Sequence, residues 1–245
     1  MENIYESEKD FLENYDASKF KGPITSVDTV IFTLFDYHLH VLTVKRAEHP
    51  FKSQWSLIGG FINVDEDSDI EATAKRKLKE KTGVNTPYLE QFGTIGNKTR
   101  DPRGWSVTTV YFALIPCQKV QLEIGAGAVD IKWSKIIDGK IEDNLAFDHL
   151  DILNGCVERL RNKLLYTSLP LNLVSEYFTL HELQKIYEII LGRKIDHKSF
   201  RRRMISADIL EETDKIRQDG GRPARLFKAK QGHITHYFVR SIEGK

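Results

Sequence analysis

The sequence predicts an α+β chain of two domains: an N-terminal α/β/α sandwich, then a helical unit closed by a basic hairpin. Three observations carry this expectation. Runs of β-branched residues bounded by turn residues fill most of residues 24–136, and one amphipathic helix interrupts them. Beyond residue 143 the apolar spacing becomes helical. The charge also changes: residues 161–245 carry 17 Lys and Arg against 10 Asp and Glu, while the remainder carries 19 against 25. A basic third on an acidic body suggests that one end meets a polyanion. The division is expected near Leu165–Ser175, giving domains 1–165 and 166–245.

Taken in order, residues 1–20 are acidic and aromatic, with no basic start and no apolar centre, so no secretory signal is expected. Strands follow at 24–35 (ITSVDTVIFTLF) and 40–46 (HVLTVKR), and a second group at 88–95, 106–117 and 129–136. Between the groups, Ile70, Ala74 and Leu78 recur every fourth residue from Ser68 to Lys81, and Gly83 stops the helix. A long helix is expected over 145–167 and ends before Pro170. No apolar run approaches the ~18–20 residues that span a bilayer. The two cysteines, Cys117 and Cys156, have no second thiol nearby. That predicts reduced thiols in a cytoplasmic protein, with neither disulfide nor metal knuckle.

Residues 59–84, GGFINVDEDSDIEATAKRKLKEKTGV, place paired glycines after a strand, then an acidic loop, then a helix ending in Thr-Gly-Val. This resembles the Nudix box. Gly60 and Glu66 match its left half; Arg76, Leu78, Glu80, Gly83 and Val84 match its right half, with two extra residues between the halves. The box works through three carboxylates at i, i+3 and i+4. That spacing puts them on one helical face, where they hold a divalent metal against pyrophosphate. Here the three positions are Lys77, Glu80 and Lys81. Two ammonium groups repel such an ion, and metal-assisted hydrolysis needs it to polarise the phosphoryl group. The expectation is a retained fold with no hydrolysis and no metal.

A cavity that no longer cleaves can still bind. Gly59 and Gly60 lack a Cβ and let backbone amides approach a phosphate. Lys45 and Arg46 end a strand where they can pair with phosphate oxygens. The loop NKTRDPRGWS (97–106) adds Arg100, Arg103 and Trp105, and it is similar to the Arg-Asp-Pro-Arg-Gly element of Nudix proteins that handle ADP-ribose. Trp55 or Trp105 can stack on a base, with core packing as the bland alternative for each.

The C-terminal third reads as a winged helix-turn-helix. Leu180, Leu183, Ile186, Tyr187 and Ile190 share one face of a helix over 179–191, and a short turn leads to a second helix capped by Asp196. In that second helix Phe200, Met204 and Ala207 form an apolar underside. Lys198, Ser199, Arg202 and Ser206 point the other way, with Arg201 and Arg203 on the flanks. A basic, hydrogen-bonding upper face suits a recognition helix in a major groove. Residues 216–230 (IRQDGGRPARLFKAK) then predict a hairpin whose Arg217, Arg222, Arg225, Lys228 and Lys230 can lie on phosphates or enter a minor groove. The alternative is a basic helical dimerisation domain, since consecutive arginines are often merely solvated.

The whole chain resembles one family, the Nudix-related transcriptional regulators of NAD metabolism. TRDPRG (99–104), LAFDHLDIL (145–153), RLRNKLLY (159–166), FTLHELQKIYEIILGRKID (178–196), KSFRRRM (198–204) and GRPARLF (221–227) carry the match. The resemblance implies a homodimer that binds a palindromic double-stranded operator and represses genes of NAD synthesis or salvage. It implies ADP-ribose, or a related NAD-derived nucleotide, as effector rather than as cofactor. Some relatives instead regulate sugar catabolism and sense a sugar; the Arg100–Arg103 loop favours the nucleotide. The rival readings are an active ADP-ribose or NADH pyrophosphatase and an adaptor that binds RNA or protein without operator specificity.

Overall fold

The structure, a computed structural model, describes residues 6–83, 88–117, 122–125, 127–137, 139–218, 223–230, 235–239 and 242. A short helix α1 (Glu8–Asn14) buries none of its residues. The sheet begins with β1 (Ile24–Phe35), the strand on which the rest assembles. Its C-terminal half pairs antiparallel with β2 (His38–Arg46), and its N-terminal half with β4 (Ile58–Phe61). Along its other edge it pairs in parallel with β6 (Ser106–Leu114), which in turn holds β5 (Leu89–Asn97). On the far side, β2 also pairs with the two-residue β3 (Trp55–Ser56) and with β7 (Ala128–Ile136).

β1 is buried from Val27 to Thr33 because both its faces are covered. Ile31 and Leu42 pack on one side with Leu78 of α2 (Ile70–Thr82). Val30, Phe32, Val41 and Phe112 pack on the other with Ile152, Leu153, Cys156 and Leu160 of α3 (His149–Leu164). A sheet between two helices is the α/β/α sandwich expected from the sequence. α2 begins at Ile70, two residues after the expected Ser68, with the Asp69 carboxylate accepting from Ala72 N–H, and ends on Gly83 in the left-handed region.

After a 3₁₀ turn (Leu169–Asn172) come α4 (Leu180–Leu191), α5 (His197–Ser206) and the hairpin β8 (Leu210–Arg217) with β9 (Ala224–Ala229). A capping box opens α4: Thr179 accepts from Glu182 N–H while the Glu182 side chain accepts from Thr179 N–H. Phe178 and Phe227 exchange backbone hydrogen bonds, which ties the hairpin to the start of α4. This is a winged helix.

The core on the α3 side of the sheet does not stop at the sandwich. It runs on through Leu169, Leu183, Tyr187, Phe200, Met204 and Phe227. The Tyr187 hydroxyl donates to Thr167 C=O at 2.6 Å, and Arg161 Nε donates to Ile190 C=O at 3.0 Å.

Three expectations are corrected. The long helix begins at His149 rather than at 145, because Ala146 N–H donates to Trp55 C=O and Phe147 takes a positive φ. The first strand of the hairpin begins at Leu210, six residues before the predicted start. Of the cations expected at the hairpin tip, Arg217 and Arg225 stand near it, opposite Ala224 and Ile216, with Glu182 accepting from the Arg217 guanidinium, whereas Lys228 and Lys230 lie at the other end of the hairpin, opposite Glu211 and beside Ile209.

Candidate functional site

A cavity of about 250 Å³ opens between β4, the end of β2, the loop 97–106 and the start of α3. Of the eight residues predicted to hold a ligand, five line it: Arg46, Gly59, Gly60, Arg100 and Arg103. Lys45, Trp55 and Trp105 do not. Neighbouring strand residues face opposite ways, so Val44 and Arg46 point into the cavity and Lys45 points out. Trp55, the cross-strand partner of Lys45, is covered by Lys132, whose ammonium stands 4.2 Å from the ring centroid. Trp105 is half exposed and lies over Gly96, where an added Cβ would come within 3.1 Å of its ring.

Gly59 is required by packing as well as by any ligand. Asp28 of β1 is the register partner of Gly59, and a Cβ there would sit 2.2 Å from Asp28 Oδ1. A Cβ on Gly60 would sit 2.6 Å from Cε of Lys77 on α2. α2 therefore lies directly behind the cavity floor, as it must if its box face is to reach a ligand.

Buried charge organises the rest. Arg100 donates from Nε and Nη2 to both oxygens of Asp148 at 3.0 Å, and its guanidinium also reaches Asp28 at 3.4 Å. His149 accepts from Leu57 N–H on Nδ1 at 3.0 Å, which places its proton on Nε2, 3.7 Å from Asp28 Oδ1. Burial pushes the His149 imidazole towards its neutral form. Arg103 clasps Asp101 with two nitrogens, lies over Phe61 and holds the Asp101 carboxyl below its usual range. Arg46 donates to Pro50 C=O and lies over Phe147. Burial, and then the charge of Arg103, lowers the Arg46 pKa.

On α2, Arg76 holds the buried Asp67 at 2.6 and 2.7 Å, whereas Glu66 stays exposed at 3.9 Å. Asp67, not Glu66, therefore anchors the helix to its loop. Glu80 accepts from Arg76 at 3.0 Å and from Lys77 at 2.9 Å. Lys81 lines the cavity and is buried, and burial lowers its pKa. Among the described residues, no group of three His, Cys, Asp or Glu is placed to hold a metal ion. The donor set behind the cavity does not fit the divalent ion of a Nudix hydrolase.

Sequence reasoning missed Asp28, His149 and Phe147 as lining residues. Asp28 left a signal, a lone carboxylate inside the β-branched run ITSVDTVIF, where charge is costly unless paired. His149 and Phe147 left none beyond their place in LAFDHLDIL.

The second site is the surface of α5. Phe200 and Met204 are fully buried beneath it, as expected, and Lys198, Arg201 and Arg202 are exposed on the outside. Among the described residues, none forms an ion pair with any of those three. Ser199 is half-buried, with its N–H given to the Asp196 cap. Arg203 turns aside and lines a hollow with Ser206, His236 and Phe238. On the wing, Arg225 pairs with Glu212 at 2.5 Å and Lys228 with Glu211 at 3.1 Å. Arg222 lies outside the described residues. No described helix is long and apolar enough to cross a membrane.

Residues 25–146 match the NUDIX domain family, and residues 170–229 match the family described as NrtR DNA-binding winged helix domain. The chain is 44% identical over 239 residues to a protein of Acinetobacter baylyi named ADPR responsive transcriptional repressor NtrR, covering 98% of this chain and 95% of that one. It is similar to Shewanella oneidensis NrtR solved with a 27mer DNA, at TM-score 0.81 and 45% identity over 89% of this chain and 99% of that one. The NUDIX domain of the same Shewanella protein, solved with ADP ribose, matches at TM-score 0.59 and 47% identity over 63% of this chain and 99% of that one. With both domains matched in order and a relative alike almost from end to end, the chain belongs to the NrtR family of Nudix-type, winged-helix transcriptional repressors.

Proposed function

We propose that this chain is a repressor of NAD synthesis or salvage genes that binds a palindromic operator as a homodimer in the cytoplasm and leaves it when ADP-ribose, or a related NAD-derived nucleotide, fills the cavity. One observation carries the reading: a cation-lined cavity backed by Lys77 and Lys81 shares a chain, and a continuous core, with a basic recognition helix. Residues 1–165 form the sensor in this reading and residues 166–245 the DNA reader. Arg46, Gly59, Gly60, Arg100 and Arg103 form the ligand site, and Lys198, Arg201 and Arg202 contact operator DNA, with Arg225 and Lys228 on its phosphates. The chain performs no hydrolysis, because the positions that would gather metal carry ammonium groups.

A ligand regulates only through unequal affinity for the operator-fitting and non-fitting arrangements. A coupling of about 1–3 kcal/mol changes operator affinity about 5–150-fold. A gel-shift titration on palindromes from the protein's own genomic neighbourhood tests this. ADP-ribose is expected to release the duplex and to be recovered intact. Unchanged binding at saturating ADP-ribose, or its conversion to AMP at enzymatic rates with Mg²⁺, contradicts the reading.

A further inference from the structure

The misfit between the donor set and a divalent ion points to what does the ion's work. We infer that the Lys81 ammonium is a built-in counter-ion for the ligand's pyrophosphate, standing where a Nudix hydrolase places metal, so that this chain binds its nucleotide without any metal. The inference rests on the reading of the cavity as an ADP-ribose-type site.

Charge decides the matter. A divalent ion with three carboxylates sums to −1, whereas Lys77, Glu80 and Lys81 sum to +1. A pyrophosphate beside this face therefore meets net positive charge from the protein alone. Lys77 is turned inward along the helix onto Glu80 at 2.9 Å, and its methylenes pack under Gly60. Lys81, one turn further along the same face, is the α2 cation that lines the cavity. Its ammonium lies close under Gly125, where an added Cβ would come within 2.8 Å of Nζ.

Arg100 is engaged by Asp148 and Asp28, and Arg103 by Asp101, so most of their charge is neutralised by buried carboxylates. An ammonium is a compact charge with three donors, suited to a phosphate oxygen approached from below. Because it is buried, its attraction for an anion is screened far less than that of a surface lysine.

The test is calorimetric titration of the full chain with ADP-ribose, in EDTA and again in excess Mg²⁺. The wild type is expected to give the same Kd in both. Lys81→Met is expected to weaken binding about 10–100-fold, the loss of one charge-assisted hydrogen bond. Lys81→Arg is expected to recover most of it, because the charge returns. A melting curve shows whether each variant folds; if Lys81→Met does not, the metal comparison on the wild type and Lys81→Arg still decide. A wild type that binds only with Mg²⁺, or a folded Lys81→Met with unchanged Kd, overturns the inference and leaves the ADP-ribose reading standing. A wild type that binds ADP-ribose in neither buffer overturns both.

Discussion

His149 shows how single residues set the state of the cavity. Its ring is enclosed, Nδ1 is occupied by Leu57 N–H, and burial holds its pKa below 6.5. The unfolded chain then takes up a proton more readily than the folded one. The resulting stabilisation is present above about pH 6.5 and is lost as pH falls through that value. His149→Asn is expected to flatten the pH dependence of the melting temperature on the acid side of about pH 6.5, read by calorimetry at several pH values. An unaltered slope would show that the imidazole titrates freely. Gly59 gives a second residue-scale expectation. A methyl group there collides with Asp28 and with the Val27 carbonyl, whereas one at Gly60 meets only the flexible stem of Lys77. Gly59→Ala is therefore expected to destabilise the fold by about 1–3 kcal/mol, and Gly60→Ala by clearly less, in denaturant melts. Equal losses would contradict the close packing of β1 on β4.

Among the elements, the turn between α4 and α5 depends on one acid. Burial alone would raise the pKa of Glu188, but hydrogen bonds from Ile195 N–H, Lys194, Gln184 and Lys185 hold it at about 2. A carboxyl with a depressed folded pKa stabilises the fold above its free value of 4.5, and that contribution is lost as pH falls from about 4.5 towards about 2. Glu188→Gln is expected to lower operator affinity and to remove this acid dependence, because the turn aims the recognition helix. Acid melts that leave variant and wild type parallel would exclude the role. On α5, Arg201→Ala and Arg202→Ala are each expected to cost about 1–3 kcal/mol of operator binding if they read bases, or to reduce the salt slope by about 1 if they sit on phosphates. Arg225 must first leave Glu212, so its loss is expected to cost less. Anisotropy titrations at several salt concentrations separate these outcomes.

Elements with a strong period were legible in the sequence: α4 and α5 bury the apolar faces their spacing implies, and β1, β2 and β6 fall where β-branched runs lie. What was hidden depended on partners distant in sequence. LAFD (145–148) has helical composition, yet Trp55 C=O takes the Ala146 N–H, and Phe147 and Asp148 form a turn. The early start of β8 is set by β9, since Leu210 pairs with Ala229 and Glu211 with Lys228. Lys45 beside Arg46 looked like one phosphate clamp, but the pleat of β2 separates them. The cavity was legible in its glycines and in the loop 97–106. The buried acids that fix those arginines were not, because their pairing spans up to 72 positions.

For the whole molecule, the continuous core is the feature that joins the two modules in the proposed switch. Cys156 and Leu160 of α3 pack against the sheet, and the same core reaches Tyr187 and Phe200 beneath the recognition helix. Packed cores have few alternative arrangements and pass strain on rather than absorbing it. A ligand that draws Phe147, His149 and the start of α3 inward therefore acts on the element that carries the winged helix. Reciprocity makes this measurable: if the ligand weakens operator binding by some factor, operator must weaken ligand binding by the same factor. The most direct measurement is the Kd for ADP-ribose of the free protein and of the protein saturated with operator. The account predicts that the operator-bound form binds ADP-ribose about 5–150-fold more weakly, matching the loss of operator affinity that ADP-ribose causes. Equal affinity in the two forms would contradict it.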